Sequence, residues 1–330
     1  MEEFCLESCG AKCAVISDQN LREFFEKNKD YMNIPDLKTL DDSFKAKDVF
    51  IYLDCKPSEE AIKCGENCIY MRYPKSELTD SNIAYVVRYL LEKQYGEDNK
   101  ATCHSACVSK DGYGILLLGG AGSGKTSMAV NMCLQRGYKL VSNDQTVIGL
   151  FNNNLYAYGG TKFINFRYSS VTENMPYLEK RIFPEIPEDV WNEKRLVLGK
   201  DVGMELEDRP VLINQVDVIQ IDNRKKRLGI KSGESWKNNF LLYNILSENI
   251  RNTTSTIVDK RGRPIGYVPS YDSEELFSSR CEMMRIINNS SFDVLSGPLD
   301  KAIDYIDNKN KILRKEMTNY KKSSNFLQKS

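Results

Sequence analysis

The segment Gly119-Gly120-Ala121-Gly122-Ser123-Gly124-Lys125-Thr126 constrains this chain more than any other. It follows the spacing G-x-x-x-x-G-K-[ST], in which glycines let the backbone turn tightly and aim successive N–H groups at phosphate oxygens. A lysine in this frame supplies a point charge to phosphates. A threonine hydroxyl supplies a ligand for Mg2+. The flanks supply the context that the motif requires. Tyr113-Gly114-Ile115-Leu116-Leu117-Leu118 reads as a buried strand entering the loop. Thr126 to Arg136 carries Met128, Ala129, Met132 and Cys133 on one helical face, and Gly137 stops it. Lys139-Leu140-Val141-Ser142 then begins another strand. Strand, glycine loop, helix and strand together predict an α/β core that binds a nucleotide through residues 119–127, Ser127 included. The helix offers its positive N-terminus to the phosphates. Asp144, at the end of the following strand, is the candidate to hold Mg2+ or its water shell.

The stretch from His104 to Val147 resembles the catalytic core of HPr kinase/phosphorylase and its smaller relatives, whose nucleotide site is related to that of phosphoenolpyruvate carboxykinases. The residues that carry the resemblance are His104, Gly119 to Thr126, and Gln135-Arg136-Gly137-Tyr138-Lys139-Leu140-Val141-Ser142-Asn143-Asp144. Ser296-Gly297 ahead of a helix is also similar to smaller members. The resemblance implies a P-loop core with a mixed, partly antiparallel sheet rather than a doubly wound one. It implies binding of ATP with Mg2+ and transfer of the γ-phosphoryl group to a hydroxyl of a peptide, protein or small molecule. By it, Lys125 would bind phosphate, Thr126 and Asp144 would serve the metal, and His104 would sit beside the active site. One position departs from the family. The first of its paired acids, used there as catalytic base, is Asn143 here. An amide cannot accept the acceptor's proton, and loss of a general base typically costs about 10²–10⁴ in rate. Phosphoryl transfer leans more on positioning and charge than on the base. The alternative is therefore a nucleotide-binding accessory or regulatory protein without phosphotransfer activity. A counterpart of the family's arginine-bearing phosphorolysis loop is not evident.

The 330 residues suggest more than one unit. Residues 1–100 read as a small N-terminal α/β unit, with strands at 13–16, 49–53 and 68–71 and helices at 18–29 and 78–95. Residues 96–100 read as a linker. Residues 101–308 form the main nucleotide-binding unit, and 309–330 a basic tail, a frayed helix or solvated extension. Forty-six basic residues balance forty-six acidic ones, which argues against a general nucleic-acid binder. No apolar run reaches the roughly 18 residues of a membrane span, and the N-terminus has no signal-peptide pattern, so a cytoplasmic location is expected. Self-association into a homo-oligomer stays open.

Ten cysteines are present, with Cys5, Cys9 and Cys13, Cys64 and Cys68, and Cys103 and Cys107 each spaced by four. That spacing puts sulfurs on one face of a helix and could serve a metal, though structural zinc more often uses a gap of two. Buried small hydrophobes and a few surface thiols are the plainer reading. His104 is the only histidine; it either braces local backbone or partners Asp144 or the phosphates. Lys162 and Arg167 are candidates to meet an anionic acceptor. Asp259-Lys260-Arg261-Gly262-Arg263-Pro264, between Thr256-Ile257-Val258 and Ile265-Gly266-Tyr267-Val268, reads first as a hairpin turn and alternatively could send an arginine to the γ-phosphate. Residues 171–195, with Pro176, Pro184 and Pro187, read as an irregular excursion that could cap the site or bind a partner.

Overall fold

The computed structural model describes residues 1–41, 46–251 and 256–327. The last three residues of the predicted tail lie outside the described residues. The architecture is mixed α/β, built on two principal sheets.

The first sheet holds six strands: β1 (Glu2–Ser8), β2 (Ala11–Ser17), β3 (Lys38–Leu40), β4 (Asp48–Leu53), β5 (Ala61–Cys64) and β6 (Cys68–Arg72), in the order β3-β1-β2-β4-β6-β5. β2, β4 and β6 run parallel, and the outer pairings are antiparallel. Helix α1 (Leu21–Asn28) is capped by the Asn20 side chain on the Glu23 N–H. Helix α2 (Asp80–Glu97) opens with a capping box between Thr79 and Asn82. Its Val86, Val87, Leu90 and Leu91 are buried with Phe4, Phe25, Phe50 and Ile69.

The cysteine spacing belongs to strands here. Cys5 sits in β1 and Cys13 in β2, with Cys9 in the turn between them, while Cys64 ends β5 and Cys68 opens β6. Alternation along a strand, not a 3.6-residue helical repeat, sets which way these thiols face. Among the described residues no three His, Cys, Asp or Glu side chains come together in a set that could hold a metal ion. Burial pushes the Cys103 and Cys107 thiols up to about 12, so they behave as small core residues.

The predicted linker is a corner. α2 runs to Glu97 and β7 (Lys100–His104) starts three residues later, with Asn99 at φ +54°. α2 packs against β7 as well as β2 and β4, so a short connection suffices.

The second sheet has nine strands: β7, β8 (Ala106–Lys110), β9 (Tyr113–Leu118), β10 (Lys139–Ser142), β11 (Gln145–Phe151), β12 (Asn154–Gly160), β15 (Val211–Ile221), β16 (Gly229–Ser232) and β19 (Ser291–Gly297). The long strand β15 is its spine. It runs parallel to β9 on one side. On the other it is antiparallel to β12 at its start and parallel to β19 further along. β8, β10, β11, β7 and β16 add antiparallel neighbours, so the sheet is mixed and partly antiparallel, as expected. Every residue of β9 is buried, which is what a central strand covered on both faces requires.

Helix α3 (Lys125–Arg136) covers one face. With it pack α4 (Tyr168–Asn174), α5 (Glu179–Ile182) and α8 (Leu299–Leu327), around Met128, Met132, Val171, Ile182, Ile219 and Ile303. Helices α6 (Trp236–Ser247) and α7 (Glu274–Asn289) cover the other through Leu242, Leu246, Met283 and Ile287, against Leu116, Leu118 and Val216. On the α3 side, β13 (Phe163–Arg167) paired with β14 (Lys194–Leu198) adds Ile164 and Phe166 to the core. The tail continues helix α8 to Leu327. The excursion at 171–195 is not loose: Val171, Met175, Leu178, Ile182 and Phe183 are core residues beside α3.

A second hairpin, β17 (Thr256–Val258) and β18 (Pro264–Tyr267), reaches back to the first sheet. Ile257 and Val268 join its core. The Lys260 N–H donates to the Glu77 carbonyl at 2.9 Å. No helix among the described residues is long and apolar enough to cross a membrane.

Candidate functional site

The glycine loop connects β9 to α3, at the edge where β9 and β15 run side by side. Its conformation explains its composition. Gly119, Gly122 and Gly124 adopt φ of +147°, +75° and +96°. A Cβ on Gly124 would lie 2.5 Å from Ile221 Cγ1, so β15 itself enforces that glycine. Around Gly120 and Gly122 the space is open. The Ile221 N–H donates to the Ser123 carbonyl at 2.9 Å, tying the loop to the end of β15.

Lys125 opens α3 and is buried, and its ammonium donates to the Gly119 carbonyl at 2.8 Å and the Gly120 carbonyl at 3.1 Å. Burial holds this ammonium below its ordinary value, and the Asp144 carboxylate pulls in the opposite direction. Ser123 Oγ is buried without a hydrogen-bond partner among the described residues. A loop with an orphaned hydroxyl, open space beside two glycines, a lysine and a helix N-terminus fits an anion such as phosphate. Thr126 and Ser127 follow on the first turn, Thr126 half-buried and Ser127 buried.

Asp144 stands between β10 and β11 at φ +87°, the left-handed region that a side-chain-bearing residue adopts only under constraint. Its Oδ1 lies 3.1 Å from His104 Nδ1, and both side chains are about a third exposed. The Ser105 N–H donates to the Asp144 carbonyl at 3.1 Å, fixing the turn. His104 ends β7 directly opposite Gln145 in β11. The structure thus brings His104 to Asp144, and Asp144 into the electrostatic reach of Lys125.

Asn143 is oriented differently. Its side chain is buried, and Nδ2 donates to the Phe163 carbonyl at 3.3 Å while Oδ1 has no partner among the described residues. Thr161 is a residue that the motif did not point to, and it braces this turn from three directions. Its hydroxyl donates to the Asn143 carbonyl and accepts from the Gln145 N–H, and its own N–H donates to the Gln145 carbonyl at 3.0 Å. The available signal was the pair Gly159-Gly160 before it. A Cβ on Gly160 would come within 2.4 Å of the Gln145 carbonyl, so the glycine marks a close backbone approach.

Three other candidates are engaged elsewhere. Lys162 donates to the Val141 and Glu207 carbonyls and faces Asp36 at 3.6 Å, beside a cavity of about 330 Å3 between the two sheets. Its ammonium is committed to holding backbone. Arg261 pairs with Glu77 at 3.1 Å and Arg263 with Asp259 at 2.6 Å, on the first-sheet side of the hairpin. Those arginines serve docking. The excursion braces α3: Asn131 Nδ2 donates to the Asn174 carbonyl at 3.1 Å, and the Tyr177 hydroxyl to Asn131 Oδ1 at 3.0 Å. Arg167 ends β13, exposed.

A mixed α/β core with a glycine loop feeding a helix, faced by a histidine–aspartate pair, defines the class of this site. No protein-family model matches the chain. Over 103 residues the chain is 33% identical to an HPr kinase/phosphorylase from Clostridium botulinum (strain Eklund 17B / Type B), a match covering 31% of this chain and 32% of that relative. The chain is HPr-kinase-like over that stretch, which spans about a third of the relative's length. The solved Hpr(Ser) kinase/phosphatase from Coxiella burnetii aligns with a TM-score of 0.31 at 12% identity, covering 68% of this chain and 97% of that one.

Proposed function

We propose that this protein is a phosphotransferase that binds ATP with Mg2+ and passes the γ-phosphoryl group to a hydroxyl of a peptide, protein or small molecule. The observation that carries this reading is the glycine loop, open around Gly120 and Gly122 with the Lys125 ammonium held on its carbonyls, together with the Asp144–His104 pair. In it, the loop N–H groups from Gly119 to Ser127 cradle the phosphates. Lys125 exchanges the Gly119 and Gly120 carbonyls for phosphate oxygens and stabilises the charge that develops on the transferred group. Thr126 and Asp144 would hold the metal, which would supply positive charge to offset that of the phosphates.

The acceptor's proton needs a destination. Asn143 cannot take it, and its side chain is turned to Phe163. His104 and Asp144 remain, paired at 3.1 Å and each about a third exposed. A histidine oriented by a carboxylate on one nitrogen leaves the other free to accept a proton. We assign the proton-accepting role to this pair.

The test is direct. Calorimetry of the full chain with ATP and Mg2+ measures binding, and an assay of ADP release, with and without hydroxyl compounds and serine peptides, measures transfer. The expected result is Mg2+-dependent binding that Lys125→Ala abolishes, with slow ADP release. Binding without any ADP release would remove the transfer reading in favour of a regulatory nucleotide binder. No binding at all would remove both.

A further inference from the structure

A cavity of about 410 Å3 opens between the 28–34 segment and α2. Tyr31, Met32, Ile34, Ala84 and Tyr85 give it largely apolar walls. Arg88 is the one charged residue among the described residues that line it. Asn28, Asn33 and Ser81 also line it, and a largely apolar cavity of this size with a few placed polar groups suits a small organic molecule.

The guanidinium is fixed before any ligand arrives. Nε faces Glu92 Oε1 at 3.4 Å, and Nη2 donates to Gln145 Oε1 at 3.4 Å and Asn249 Oδ1 at 3.0 Å. Nη1 has no hydrogen-bond partner among the described residues. The Arg88 side chain is 19% exposed, so what remains of its donor capacity is only partly met by water. A planar cation held on its other edges is prepared for a carboxylate.

We propose that this cavity binds a small molecule that joins a ring or branched hydrocarbon to a carboxylate, the hydrocarbon against Tyr31, Tyr85, Met32 and Ile34 and the carboxylate on Arg88. The chemistry follows from complementarity: among the described residues no acidic side chain lines the cavity to receive a cation, and the apolar walls discriminate against a bare inorganic anion. The same guanidinium holds Gln145, which follows Asp144 and stands opposite His104. The occupant therefore lies one side chain away from the candidate site. The inference does not depend on the nucleotide reading, since it concerns binding alone.

Ligand-observed NMR on the full chain tests it with three probes that share a ring: phenylacetate, benzyl alcohol and 2-phenylethylamine. Phenylacetate is expected to bind with a dissociation constant of roughly 1 mM or below, as a fragment of its size allows. The alcohol and the amine are expected to bind at least about tenfold more weakly. Arg88→Gln should weaken phenylacetate at least about tenfold, and Ala84→Phe, which fills the cavity without touching the charge, should remove its signal. Circular dichroism establishes that each variant is folded, and should Arg88→Gln not fold, Ala84→Phe and the probe series still decide. Equal binding of the three probes, no phenylacetate binding up to roughly 10 mM, or unaltered binding in either folded variant would overturn the proposal.

Discussion

Asp144 holds its carboxylate 3.1 Å from His104 Nδ1 on a backbone at φ +87°. A backbone of that shape is unfavourable for any residue with a Cβ, and the cost is about 1–2 kcal/mol relative to glycine. Asp144→Gly and Asp144→Ala both delete the carboxylate, so their difference isolates the backbone. The glycine variant is expected to be the more stable by about 1–2 kcal/mol in urea unfolding, with ADP release lost in both. Equal stabilities would show that the turn relaxes when the side chain is removed.

The glycine loop makes a paired forecast. Gly122 and Gly124 both have positive φ, yet a Cβ on Gly122 meets open space while one on Gly124 would run into Ile221. Gly122→Ala should cost about 1–2 kcal/mol. Gly124→Ala should cost that plus an overpacking penalty of about 1–3 kcal/mol. Thermal or urea denaturation of the two variants gives the order, and a reversed order would mean that β15 yields at Ile221.

Asn143→Asp restores the acid that the resembling family carries. The same change removes the Nδ2 donor from the Phe163 carbonyl and buries a carboxyl in its place. ADP release is expected to rise if that acid reaches the acceptor, while stability falls by about 1–3 kcal/mol. Falling stability with unchanged turnover would mean that Asn143 is a structural brace of the 143–145 turn.

A buried acid on β15, in register with Leu117 just before the loop, gives a pH signature. Asp217 in β15 is fully buried, and burial raises its carboxyl to about 7, against the opposing pull of Lys309 in α8 and the hydrogen bond from Gln215. The folded state favours the protonated acid, so this group's contribution to stability is complete below its unfolded value near 3.8 and is lost as pH climbs through about 7. Asp217→Asn should therefore gain stability relative to the unaltered protein between pH 4 and 7, by an amount up to roughly 4 kcal/mol at one unit per 1.36 kcal/mol. Parallel pH–stability curves for the two proteins would refute the assignment.

What could be read from the chain was what is local. The strand–loop–helix–strand run from Tyr113 to Ser142 needs only neighbours in sequence: an apolar run, glycines at fixed offsets, and Gly137 in the left-handed cap at φ +68°. Asp144 and His104 were legible as candidates, and their pairing as one alternative for His104, but the sequence could not choose it, because β7 and β11 meet only through antiparallel pairing across about forty residues. The spine β15 went unread because its inward positions alternate Gln215 and Asp217 with Ile213 and Ile219, and polar residues mask a buried strand's apolar run. Thr161 was not singled out because its role lies in backbone contacts, although Gly159-Gly160 before it marks a close approach. The 259–263 segment was legible as a hairpin turn, but not which surface its arginines face, because a charged loop carries no label for that; here Glu77 pairs with them.

The hairpin β17–β18 settles how this protein would tolerate being cut. It leaves the second sheet, crosses to the first, and lodges Ile257 and Val268 among residues that come from the opening hundred. A fragment starting at residue 101 would carry those two side chains and Val147 into water with nothing to cover them. Shortening the gene at that seam is a recipe for a sticky, poorly soluble product, and anyone seeking a smaller piece that keeps the glycine loop must trim the hairpin together with the front of the chain.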